Sequence, residues 1–141
     1  MSTPSYSKHL ETLNALITYL AMDEWALRQA KTLAEKTNLE VPEVITVLES
    51  FKGLFRASPK TTKGEPFYSL HLRHIRQNAD DKTSERPPLE TEHLFELLKF
   101  VGQQANEEAR RGLTITTTLI ASSLSLFASV IVLIISVLRS H

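Results

Sequence analysis

Between positions 56 and 76 the chain carries Arg56, Lys60, Lys63, Arg73 and Arg76. A cluster of guanidinium and ammonium groups at this density can grip phosphates or acidic protein surfaces. Just upstream, Glu43, Thr46, Glu49 and Ser50 recur at spacings of three and four, so they share one polar face if the segment is helical. That face can accept and donate hydrogen bonds to a partner, but its carboxylates repel phosphate. His71 and His74 are three apart with no thiol or carboxylate implied nearby, short of the three or four converging ligands of a metal site. No Gly-rich phosphate loop, HExxH, GxSxG or paired-carboxylate arrangement occurs. The chain has no cysteine, which removes disulfides, thiolate zinc sites and cysteine nucleophiles. These residues predict binding without catalysis, metal or cofactor.

Positioning them requires a small domain, and the apolar spacing supplies its elements. Over 8–22, Leu10, Leu13, Leu16, Ile17 and Leu20 form one helical face. A second helix over about 27–37 would bury Leu27, Ala30, Leu33 and Ala34 and end at Asn38, a residue that tolerates the left-handed conformation. Pro42 suits the first turn of a third helix, with Val44, Val47, Leu48 and Phe51 inward and Gly53 as its stop. Trp25, at the junction of the first two helices, is expected to plug the core. After Gly53 the period drops to two. Leu54–Ala57 and Phe67–Arg73 read as strands, and Ser58–Pro66 as the loop between them, with Tyr68, Leu70 and Leu72 on the buried face.

The segment LAEKTNLEVPEVITVLESFKGLFRA, the loop and then FYSLHLR resemble a winged helix-turn-helix domain over about residues 8–73. The resemblance implies a mainly α fold with a small β-hairpin. It places the wing at Arg56, Lys60, Lys63, Arg73 and Arg76, and the face of the third helix at Glu43, Thr46, Glu49 and Ser50. Winged helices bind DNA, bind RNA or dock proteins, so the fold leaves the partner open. In DNA-binding members the third helix enters the major groove. Here that helix is acidic, which favours a protein partner or wing contact with a nucleic-acid backbone.

Lys plus Arg equals Asp plus Glu, at 16 each. The balance hides a mildly basic head over 1–77 and an acidic stretch over 78–112. Residues 78–88 (NADDKTSERPP) read as a linker, and 89–112 as an amphipathic helix with Leu94, Leu97, Leu98, Val101 and Ala105 on one face. Glu107 and Arg111 are spaced for an i, i+4 pair. Residues 113–138 contain no charge over 26 positions. At about 1.5 Å per residue they would form a helix of about 39 Å, enough to cross a bilayer with tilt, leaving residues 139–141 as a short tail. Arg110 and Arg111 before this run, against Arg139 after it, predict a single-pass inner-membrane protein with a cytoplasmic head. Thr118, Ser122, Ser125, Ser129 and Ser136 form a heptad stripe suited to self-association.

The expected whole is a winged-helix head, a linker, and a juxtamembrane helix continuing into one transmembrane helix. The expected partners are a membrane, further copies of the chain through the juxtamembrane and transmembrane helices, and a protein or nucleic acid at the head. This layout resembles the small membrane effectors of bacterial phage-defence systems of the retron type. The resemblance implies a sensor head that controls a membrane-perturbing helix. A membrane-tethered winged-helix transcription regulator and a tail-anchored structural adaptor are the alternatives.

Overall fold

The structure, a computed structural model, describes residues 4–75 and 87–113. It is mainly helical with a small antiparallel sheet. The chain divides into two compact units, 1–105 and 106–141.

In the first unit α1 (Leu10–Met22) buries Leu13, Leu16, Ile17 and Leu20 completely, the face its spacing dictates. A two-residue strand β1 (Arg28–Gln29) follows, then α2 (Ala30–Thr37) and α3 (Val41–Ser50). Asn38 ends α2 with φ 56°, and the Leu39 N–H closes the turn on the Ala34 carbonyl at 3.0 Å. Pro42 lies in the first turn of α3, where its missing N–H costs nothing. The helix ends at Ser50 with Phe51 as its C-cap, two residues before Gly53.

β2 (Phe55–Thr62) and β3 (Glu65–Leu70) form a hairpin, and β1 adds to the far side of β3, giving the order β1-β3-β2. Most of the expected 58–66 loop is therefore strand. The turn needs only Lys63 (φ 55°) and Gly64 (φ 81°), a two-residue type I′ connection between Thr62 and Glu65. A register irregularity between Ala57 and Thr61 accommodates Pro59, which has no N–H to offer a ladder. β3 stops at Leu70, short of the predicted Arg73. The His71 N–H turns back to the Leu54 carbonyl at 2.9 Å, and a short helix α4 (His71–Ile75) begins.

Two aromatic and apolar expectations fail. Trp25 is 63% exposed, and Leu27 is exposed as well. Both precede β1 in the connection from α1, so the helical spacing assumed for Leu27 does not apply, and Trp25 lies at the expected junction without being covered. The core joins α1, α2, α3, β2 and β3, and it also takes Leu89, Leu94 and Val101. Residues 91–105 are helical, and we call this segment α5. Its apolar face packs on the head, with Leu97 and Leu98 half-buried against the same core. The inward residues of this face are thus covered within the first unit.

In the second unit, residues 106–113 are helical, and Arg111 Nη2 lies 3.7 Å from Glu107 Oε2. Among the described residues no helix is long and apolar enough to cross a membrane. The helical residues 91–105 carry Glu92, Glu96 and Lys99, and the helical residues 106–113 carry Glu107, Glu108, Arg110 and Arg111, charges whose burial in hydrocarbon is too costly. The placement as a single-pass inner-membrane protein is corrected on this finding. Beyond Leu113 the predicted 113–138 span, with Thr118, Ser122, Ser125, Ser129 and Ser136, lies outside the described residues, as does most of the 78–88 linker.

Candidate partner-docking surface

The buried face of α3 (Val44, Val47, Leu48) fixes what the helix shows to solvent. Pro42, Ile45, Thr46 and Glu49 are exposed at i, i+3, i+4, i+7, with Glu43 and Ser50 exposed beside them. The four residues read from the sequence as a docking face, Glu43, Thr46, Glu49 and Ser50, are thus together on one side. Two of them are held by other contacts. The Thr12 hydroxyl on α1 donates to Glu43 Oε1, tying α3 to α1. The Thr46 hydroxyl donates to the Pro42 carbonyl one turn back at 2.8 Å. Burial raises the Tyr68 phenol above its usual range, and the nearby Glu49 charge adds to the effect. The sequence reading missed Ile45, which puts an apolar side chain in the middle of this polar face.

The basic set does not stay together. Arg56 is exposed on β2, Lys63 is exposed in the turn, and Lys60 falls on β2 between them. Arg73 is not a wing residue. It lies on α4, only 4% exposed, because the strand expected to carry it outward ends three residues earlier. Its Nη1 donates to the carbonyls of Leu20 (2.8 Å) and Asp23 (2.9 Å), and its Nε donates to that of Pro87 (3.1 Å). Arg76 lies outside the described residues.

Beside Arg73 is an ion pair for which the sequence offered no periodic signal. Arg28 donates to Asp23 through Nε (2.5 Å) and Nη2 (2.9 Å), a two-pronged contact that holds the edge strand β1 to the end of α1. The hydrogen bonds from Arg28 outweigh burial and lower the Asp23 carboxyl to about 2. Burial first, then the hydrogen bond and charge of Asp23, raise the neighbouring Tyr19 phenol.

Among the described residues no three His, Asp or Glu side chains gather as a metal site. His71 is half-buried on α4, and His93 Nδ1 lies 3.4 Å from Glu90 Oε2 one turn away. What the arrangement offers is a rigid helix face, acidic around an apolar centre, next to a hairpin with a sparse positive edge. No protein-family model, curated protein or solved structure matches the chain.

Proposed function

We propose that the head is a winged helix acting as a non-enzymatic docking module, with a protein at the face of α3. The order helix, short strand, two helices and hairpin supports the winged-helix reading. One observation carries the choice of partner. Along its exposed side the helix that would enter a major groove carries Glu43, Glu49 and Ile45 and has no Lys or Arg. A groove-reading helix needs donors for guanine and for phosphate, and each carboxylate there weakens binding. An apolar centre within a polar rim is instead the usual anatomy of a protein contact.

The test is photo-crosslinking of the full chain in its native cells, with the reactive residue at Glu49 or Ser50. A discrete protein adduct is expected, and Ile45→Asp should abolish it. Sub-micromolar binding of a defined DNA duplex, weakened by Arg56→Glu with Lys63→Glu and accompanied by no adduct from α3, would replace this reading with a nucleic-acid one.

A further inference from the structure

We infer that residues 87–105 form a strap that opens from the rest of the first unit as one piece, with Arg73 as its clasp. The final four carbonyls of any helix lack partners within that helix. At the end of α1, the Tyr19 carbonyl takes the Asp23 N–H (2.9 Å), the Leu20 carbonyl takes Arg73, and the Ala21 carbonyl takes the Leu89 N–H (2.8 Å). The strap therefore enters the head at the point where α1 is capped. The Arg73 guanidinium holds the strap's Pro87 with one edge and α1 with the other.

Beyond this entry the strap is held by side chains. α5 satisfies its own backbone, so lifting it breaks none of its ladder. Its inward residues are covered unevenly: Val101 is fully covered, Leu89, Leu94 and Ala105 are buried but keep a little exposed area, and Leu97 and Leu98 are only partly covered. By contrast, α1, α3, β2 and β3 interlock through residues with almost no exposed area, among them Leu16, Val47, Phe55 and Leu70. Local openings follow such differences in buried contact. Phe100 also meets Tyr6 edge-on at 6.2 Å, and Tyr6 meets Phe51 at the end of α3 at 4.8 Å. The strap's position is thus felt at the docking helix, whatever partner that helix takes.

Native-state hydrogen exchange of the full chain in increasing urea tests this. Amides over 91–105 should exchange at least about tenfold faster than those of α3 and β3, through an opening with a smaller urea dependence. Arg73→Gln should speed exchange over 91–105 by a further ~10–100-fold while α3 and β3 keep their protection. Leu94→Ala leaves the α1 cap intact and should have the same selective effect, which decides the matter if Arg73→Gln does not fold. Equal exchange of the strap and β3 with equal urea dependence overturns the inference. So does a Leu94→Ala variant that accelerates α3 and β3 as much as the strap.

Discussion

Asp23 serves two arginines with two different groups: its carboxylate takes Arg28 and its backbone carbonyl takes Arg73. The carboxylate has a pH consequence. Its folded-state value of about 2 is below that of an unfolded Asp, so the contribution is full above the unfolded value near 4. It is lost as pH falls from about 4 towards 2. Asp23→Asn should cost on the order of 1 kcal/mol at pH 7 and flatten the acid limb of a thermal-denaturation series between pH 4 and 2. An acid limb unchanged in the variant would show that other carboxylates govern it. None of this junction was legible in the sequence, since a single Asp, two Arg residues and a two-residue strand carry no period. Trp25 was misread for a related reason: large apolar side chains are usually inside, but here the chain is leaving a helix for an edge strand.

At the scale of elements, the three helices of the head were legible because their buried faces repeat at the helical period, although α2 starts at Ala30 and leaves out Leu27. The hairpin was legible as such but not in extent. The composition of SPKTTKGEP suggests a long loop, whereas pairing across the bulge extends the ladder to a two-residue turn. Of the candidate residues, Glu43, Thr46, Glu49 and Ser50 lie exposed on α3, while Arg73 leaves the basic set because β3 ends at Leu70. The turn gives a direct test. Gly64→Ala forces a side chain into φ 81° and should cost about 1 kcal/mol. Lys63→Asn should be neutral or slightly stabilising by chemical denaturation, because Asn-Gly favours this turn type.

For the molecule as a whole, the sheet has two edges, and the longer one belongs to β2. A long exposed edge invites pairing between chains, and Pro59 together with the register irregularity opposes it. Pro59→Val should leave the melting temperature within a few degrees, by about the shift of a small surface change. Light scattering at high concentration should then rise over the parent protein; a flat scattering signal would mean the edge is protected some other way.

The middle strand of the sheet is also the last to be made. β1 and β2 both pair with β3, and Arg73, which caps α1, lies 53 residues beyond the Leu20 carbonyl it receives. A ribosome thus releases β1 and β2 before either has the strand it pairs with, and α1 before its last carbonyls are capped. The contacts that complete the head are long-range, which slows closure. Truncation anywhere before residue 73 removes the cap, and truncation before β3 removes the sheet as well. Folding of this head is therefore a late event in its synthesis, and until then its core is open to whatever meets the emerging chain first.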